Sequence, residues 1–216
     1  NCGKTMTCPY HNWAYAIDGR LIGIPDRLRM YPDGLPDEDY GLVPIRIEVA
    51  WDKLIFGCLS RKAPSFREWI APLAGRYDRY DFSTFTRYHR ELDEIYPINW
   101  KAFAENSNDD YHVRFVHRRL NHILKPMDTV VRFEGRTCSG FKPHADNDTF
   151  DGSHPDLSDE QKLGHYADFI YPNLTPLPYP DQLILVRADP IAPDSTRLFS
   201  RIYGVGKSIE DQDFDL

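Results

Sequence analysis

The sequence of 216 residues predicts an α+β fold in two parts. The first part, residues 1–60, looks β-rich because Asp18-Gly19 separates two short β-prone runs, which is a strong hairpin signal. The second part, residues 61–216, mixes short helical segments with apolar or alternating stretches that indicate antiparallel strands. The length allows one large domain or two small ones.

Within the first part, residues 13–17 and 20–24 are predicted to pair as strands around the Asp18-Gly19 turn. Residues 26–44 are rich in Pro, Gly and Asp and indicate a loop. Residues 45–49 and 53–59 are predicted to form a second strand pair, joined by a turn at Trp51-Asp52.

The second part is predicted to begin with a short helix over 65–75, where Ser65 is the N-cap and Pro72 stops or kinks the helix. Residues 82–96 indicate a strand, and 99–120 indicate a central helical segment. The remaining predictions are a strand at 129–133, a long loop at 138–156, a helix at 157–167, and strands at 168–171, 182–188 and 196–205.

Charge and composition exclude several functions. The formal net charge is −7 and no basic stripe is visible, which argues against nucleic acid as a partner. No apolar run approaches the ~20 residues of a membrane span, and no secretory leader is visible. Four dispersed cysteines are sparse for a disulfide scaffold and fit a reducing compartment, so a cytoplasmic protein is expected.

The segment 99–117 places His112 and His117 five residues apart, with Asp109 three residues before the first. Two imidazoles and a carboxylate suit a mononuclear iron site. Residues five apart do not share a helix face, so the histidines converge only where the helix ends or widens between them. Asp110 competes with Asp109 for the role of the nearby carboxylate.

Cys8-Pro9-Tyr10-His11 offers a thiolate and an imidazole in a tight turn before the predicted hairpin. A Rieske [2Fe–2S] centre takes two cysteines on one iron and two histidines on the other. Taken alone, the pair fits half a zinc site or a chance pairing as well.

These motifs together resemble Rieske non-haem iron oxygenases, the α subunits of ring-hydroxylating dioxygenases and their monooxygenase relatives. Residues 7–15 with Asp18-Gly19-x-Leu21 resemble the second ligand segment of the Rieske domain, and 99–117 resembles the iron-binding segment. Residues 171–174 and 192–197 resemble later strands of the catalytic domain. The matches follow the order of the family along the chain.

The resemblance implies a small all-β Rieske domain, incomplete, over 1–60, followed by a helix-grip catalytic domain with antiparallel sheet over 61–216. Cys8 and His11 would bind the Rieske [2Fe–2S] cluster. The other Cys-x-His pair is not found before Cys8, because Cys2 is followed two residues later by Lys4. Residues 1–216 are therefore expected to hold an incomplete cluster site, as a fragment cut inside both end motifs would.

The resemblance also implies the ligands of a mononuclear Fe(II). His112 and His117 would supply two of them, and an aspartate of the C-terminal segment would supply the third, with Asp213 the first choice and Asp211 the second. Asp109 would be the bridging carboxylate that couples His112 of one subunit to His11 of the next.

The implied function is the oxygenase component of a multicomponent system that hydroxylates a small organic substrate, with an aromatic ring as the first choice. A ferredoxin or flavin reductase would supply electrons derived from NAD(P)H, O2 would be the oxidant, and the assembly would be a homotrimer or α3β3. A quaternary amine such as carnitine or betaine is the alternative substrate, because the spacing from Glu105 to His112 resembles those monooxygenases. Further alternatives are a non-catalytic helix-grip ligand-binding protein and a zinc hydrolase that uses His112, His117 and Asp109.

The other histidines are predicted to be surface or loop residues, and two of them, His144 and His154, are weighed as substrate contacts. Cys58 and Cys138 are predicted to be ordinary core or loop thiols. The full set of these histidines is 89, 122, 144, 154 and 165.

Overall fold

The computed structural model describes residues 3–85, 87–145, 154 and 156–205, without the side chains of 87–90 and 127. The chain divides into two compact units. One comprises the chain up to Glu48 together with Ile55–Ala63, and the other comprises Val49–Leu54 and the chain from Pro64 onward. Within the described residues no helix combines the length and the apolar character needed to cross a bilayer.

The first unit contains a three-stranded antiparallel sheet of β1 (Thr5–Thr7), β2 (Ala14–Ala16) and β3 (Leu21–Gly23), in that order. The predicted hairpin is confirmed: Ala16 N–H donates to the Arg20 carbonyl over 2.8 Å, and Gly19 has a φ of 89° that favours glycine. The helix α1 (Arg27–Met30) follows, in the region predicted to be a loop.

The second predicted strand pair is also confirmed, as β4 (Arg46–Ala50) and β5 (Leu54–Cys58). The turn between them contains Trp51 and Asp52, both with positive φ, which is the backbone that a tight antiparallel turn requires. In the second unit the Trp51 ring stacks on Tyr77, with ring centroids 4.5 Å apart.

A seven-stranded antiparallel sheet dominates the second unit. Its strand order is β6-β12-β11-β10-β9-β8-β7, so that β6 and β7 are the edges. The strands are β6 (Arg87–Tyr96), β7 (Val130–Glu134), β8 (Thr137–Pro143), β9 (Gly164–Ile170), β10 (Leu174–Pro178), β11 (Gln182–Ala192) and β12 (Ser195–Gly204).

The register of β8 against β9 assigns side chains to the two faces of this sheet. Ser139 lies opposite Asp168, and Lys142 lies opposite His165. Because side chains alternate along a strand, the first pair faces one side and the second pair faces the other. The first face carries the buried core, in which Leu183 and Leu185 contact the residues around Tyr77.

Short helices cover the sheet. Ser65 caps α2 (Phe66–Trp69) in a capping box with Glu68, as predicted, and α3 (Ala71–Tyr77) starts anew with Pro72 in its first turn. The helix α4 (Trp100–Asn108), capped by Asn99, contacts β8, β9 and β11.

Two predictions in the second unit are wrong. Residues 138–156 are not a loop throughout, because β8 runs to Pro143 and pairs on both sides with β7 and β9. Residues 157–167 are not one helix, because α6 (Asp159–Lys162) is a single turn and β9 starts at Gly164. Ser158 and Gln161 form a capping box at the start of α6.

Candidate mononuclear metal centre

The predicted central helical segment is interrupted just before the first histidine, and the residues between the two histidines form a single helical turn. The helix α4 ends at Asn108, and a one-turn helix, α5 (Val113–Val116), follows after Asp109–His112. His112 caps the start of α5 and His117 caps its end. The two imidazole ligands predicted from the sequence thus flank one helical turn rather than lying along a continuous helix.

The two imidazole rings lie next to each other in an edge-on arrangement. Their centroids lie 5.3 Å apart and the ring planes are inclined by 71°. Two imidazoles bound to one ion through nitrogens at about 2.1 Å have ring centres roughly 4.5–5.5 Å apart. The described arrangement of His112 and His117 therefore fits a shared metal ion.

Asp109 lies beside the first histidine. Its Oδ2 is 3.2 Å from Nδ1 of His112, and its Oδ1 accepts the Tyr111 backbone N–H over 2.9 Å. These two donors, the Tyr111 amide first, hold the pKa of the Asp109 carboxyl below its ordinary value. An ionised carboxylate only accepts hydrogen bonds, so it favours the proton on Nδ1, and in that neutral tautomer Nε2 is the nitrogen that would bind a metal.

Asp110, the competing carboxylate, points elsewhere. Its side chain is 7% exposed, forms an ion pair with Lys142 of β8, and accepts the Thr129 hydroxyl at Oδ2 over 2.5 Å. Adjacent aspartates thus have separate partners, and it is the carboxylate of Asp109 that lies beside the imidazole.

The third ligand predicted for this site, Asp213 or Asp211, lies outside the described residues. Within the part of the chain that the structure describes, no cluster of three or more His, Cys, Asp or Glu side chains could hold a metal. His112, His117 and the adjacent Asp109 are what the described residues contribute.

Cys8 and His11 lie in the loop between β1 and β2. The loop is closed by hydrogen bonds from Cys8 N–H to the Trp13 carbonyl (2.8 Å) and from Asn12 N–H to the Cys8 carbonyl (2.9 Å). Cys8 is half-buried and His11 is exposed, with its ring 3.9 Å from that of Tyr10. One thiol and one imidazole on a short rigid loop suit half of a Rieske ligand set.

Three of the histidines expected at the surface or in loops are buried, and the prediction is wrong for His165, which lies in β9. His144 and His165 are 6% and 2% exposed, and Nε2 of His144 is 2.8 Å from Nδ1 of His165. His154 is 3% exposed, and its ring lies 5.0 Å from that of Phe85. His122 is exposed as predicted, and the side chain of His89 lies outside the described part.

Cys58 and Cys138 differ in burial. Cys138 is buried, which raises the pKa of its thiol to about 11 and keeps it protonated, as expected of a core residue. Cys58 is half-buried at the end of β5. Cys2 lies outside the described residues.

Sequence reasoning missed the ion pair of Asp110 with Lys142 and the buried contact of His144 with His165. Lys142 and His144 both lie in residues 138–156, which were predicted to be a loop. The signal for Asp110 was its position next to Asp109, but its partner could not be identified without the register.

An antiparallel sheet covered by an interrupted helix, which presents two histidines and a carboxylate, defines a helix-grip catalytic domain of the Rieske oxygenase type. The chain belongs to the ring hydroxylating alpha subunit (catalytic domain) family, whose model matches residues 75–215. Members of this family are oxidoreductases that use a Rieske [2Fe–2S] cluster and a mononuclear iron.

Curated relatives include both monooxygenases and dioxygenases. The chain is 24% identical to a chloroplastic choline monooxygenase of Spinacia oleracea, over 97% of this chain and 47% of that protein. It is 29% identical to a glycine betaine monooxygenase oxygenase subunit of Pseudomonas aeruginosa, over 63% of this chain and 30% of that protein. It is 23% identical to an anthranilate 1,2-dioxygenase large subunit of Burkholderia cepacia, over 93% and 55% respectively.

The chain therefore spans about half, or less, of the length of these relatives. Among solved structures, a quaternary ammonium Rieske monooxygenase superimposes with a TM-score of 0.76 at 16% identity, covering 99% of this chain and 55% of that one. A naphthalene 1,2-dioxygenase of Rhodococcus sp. gives 0.69 at 22% identity, covering 96% and 56%. These likenesses confirm the predicted fold.

Proposed function

We propose that the protein is the oxygenase component of a Rieske system, which hydroxylates a small organic substrate. The observation that carries the proposal is the adjacent pair of His112 and His117 rings, with the Asp109 carboxylate beside Nδ1 of His112. In this proposal, residues 1–60 contribute to a Rieske domain and 61–216 to the iron domain.

His112 and His117 would hold a mononuclear iron, with Asp213, or else Asp211, as the third ligand. Cys8 and His11 would contribute half of the Rieske ligands. When bound, the two centres would supply O2 activation and the electrons for it. Mg²⁺ and Ca²⁺ prefer oxygen ligands, whereas His112 and His117 offer imidazole nitrogens. This supports iron or zinc over those two ions.

Asp109 would keep the Nδ1 proton of His112 in place and so fix the orientation of the ring. By the family resemblance, the same carboxylate would accept a hydrogen bond from His11 of the neighbouring subunit. Its side chain is half exposed, which supports a role at a surface where another chain can reach it. This arrangement would require a homotrimer or α3β3, with electrons delivered by a ferredoxin or flavin reductase in a reducing, cytoplasmic compartment.

Two substrate classes are proposed. An aromatic ring is the first prediction from the sequence, and the relative from Burkholderia cepacia is named for an aromatic substrate. A quaternary amine is supported by the spacing from Glu105 to His112 and by the relatives named for choline and glycine betaine. Product formation coupled to O2 uptake, measured with choline, glycine betaine, carnitine, anthranilate and naphthalene, separates the two classes.

The experiment that tests the function is metal and sulfide analysis with EPR on the full-length gene product and on His112→Ala. We expect a Rieske signal plus about one additional iron per chain in the wild type, with that iron lost selectively in the variant. His122→Ala replaces an exposed histidine of the same segment and serves as the matched control.

Two outcomes would contradict the proposal. Zinc in place of iron, with activity that needs no reductant, would favour a zinc hydrolase. A wild-type protein without mononuclear iron or O2 uptake, which still binds an organic ligand, would favour a non-catalytic helix-grip binding protein.

A further inference from the structure

Asp110 is a buried carboxylate inside the turn that carries the histidines. It lies between Asp109 and His112 in the chain, yet it faces the sheet instead of the histidine pair. A buried ionised carboxylate is costly unless paired, and here Lys142, whose side chain is 12% exposed, supplies the opposite charge. The Thr129 hydroxyl, just before β7, supplies a further donor.

We propose that Asp110, Lys142 and Thr129, together called the Asp110 anchor, position the metal-ligand turn on the sheet. The proposal rests on the proposed function, because it concerns the same metal centre. Asp110 is a positioning residue in this account, since it reaches the reacting atoms only through Asp109 and His112.

The backbone geometry shows how the anchor acts on the ligands. The Asp110 carbonyl accepts the Val113 N–H over 3.1 Å, which starts α5 directly after His112. The Tyr111 N–H bonds to Asp109, so consecutive residues of the turn are tied to both aspartates. Fixing the Asp110 side chain on β8 therefore fixes the direction in which Asp109 and His112 project on the other side of the backbone.

The sheet offers a matched comparison on its opposite face. Arg76 of α3 donates to Asp168 over 2.7 Å, and Asp168 is fully buried. Both ion pairs join a covering helix segment to β8 or β9, because Lys142 lies on β8 and Asp168 on β9. The Arg76 pair lies on the opposite face of the sheet from Lys142 and so separates loss of stability from loss of the metal site.

The test measures Fe(II) affinity of the mononuclear site in the full-length protein with its Rieske cluster retained. Iron is removed from the mononuclear site and titrated back into the wild type, Lys142→Met, Arg76→Met and Lys142→Arg. Losing a group that contacts a metal ligand directly typically costs about 10–100-fold in affinity, and because Lys142 acts through Asp110 we expect a loss at the lower end, about 10-fold, in Lys142→Met. We expect Arg76→Met to change it less than about twofold, although it also lowers the melting temperature.

Lys142→Arg should keep the Fe(II) affinity within a few-fold of the wild type, because the guanidinium keeps the positive charge and can donate to Asp110. If Lys142→Met does not fold, Thr129→Val, which removes one hydroxyl at nearly constant volume, replaces it with a smaller loss expected in the same direction. Equal losses in Lys142→Met and Arg76→Met, or unchanged affinity in Lys142→Met, would overturn the proposal. A wild type that binds no Fe(II) would instead overturn the proposed function.

Discussion

At the scale of single residues, two adjacent aspartates have different environments and different expected roles. Asp109 is half exposed and lies 3.2 Å from His112, whereas Asp110 is buried against Lys142. The sequence alone left the choice between them open. The side-chain partners support Asp109 as the carboxylate that orients the metal ligand, because an outer carboxylate must contact the imidazole that it orients.

Asp109→Asn should lower turnover about 10–100-fold while the iron and the Rieske cluster stay in place. The amide keeps the size of the side chain but loses the charge that attracts the Nδ1–H donor. Steady-state turnover with metal analysis on the full-length protein checks this prediction. Turnover at the wild-type level would show that Asp109 is a surface residue without a role in the reaction.

At the scale of elements, β8 and β9 carry one partner of each of three buried polar contacts, namely Lys142, Asp168 and His165. Gly164 starts β9 beside β8, where an added Cβ would overlap the Lys142 carbonyl oxygen and would lie 2.9 Å from two ring carbons of Phe141. The glycine is needed there for close backbone approach, not for an unusual φ. Its place in the sequence, directly after the short helix α6, explains why a strand was not predicted from this point.

Gly164→Ala should lower the free energy of unfolding by about 1–3 kcal/mol, because the methyl group overpacks a close contact between strands. Gly140→Ala, in β8, is the matched control, since its added Cβ would meet atoms only at ordinary distances of 3.7 Å or more. Urea unfolding of both variants gives the comparison. Equal stability of the two variants would contradict the close approach at Gly164.

At the scale of the whole molecule, the predictions that held depend on local chemistry and those that failed depend on distant pairing. The Asp18-Gly19 hairpin and the Ser65 cap are each encoded within a few residues. The β8 strand contains Gly140 and only weak alternation, so its strand character comes from pairing with β7 and β9.

The same limit applies to the candidate site. The histidine pair is a local motif and was predicted, with a resemblance that indicated its chemistry. The partners of Asp110 and His165 lie in strands and loops that are distant in sequence. No sequence pattern near either residue can therefore identify these partners.

The buried histidines make the stability of the molecule depend on pH. Burial, the His144 imidazole and the Lys142 ammonium hold the pKa of His165 well below 6.5. Below about pH 6.5 His165 is therefore protonated in the unfolded chain but not in the folded chain. The free energy of unfolding falls as the pH drops through this range, by up to about 1.4 kcal/mol per pH unit. Urea unfolding between about pH 5 and pH 7.5 should show a shallower pH slope for His165→Leu than for the wild type.

Burial also lowers the pKa of His154, so His154→Leu should flatten the slope of the unfolding free energy further when it is combined with His165→Leu. Parallel slopes in the wild type and in both variants would contradict the burial of these side chains.

The one-turn helix between the two candidate ligands has a thermodynamic consequence. A segment of four residues is far too short to stay helical alone, so α5 is held by its surroundings. The amide protons of Val116 and His117, which bond to the carbonyls of His112 and Val113, report its local opening. A metal ion bound by both His112 and His117 binds only while α5 is helical. Its binding free energy therefore adds to the free energy of local opening and slows hydrogen exchange of these two amides. Loss of metal and local unfolding of this turn would then be one equilibrium seen by two observables.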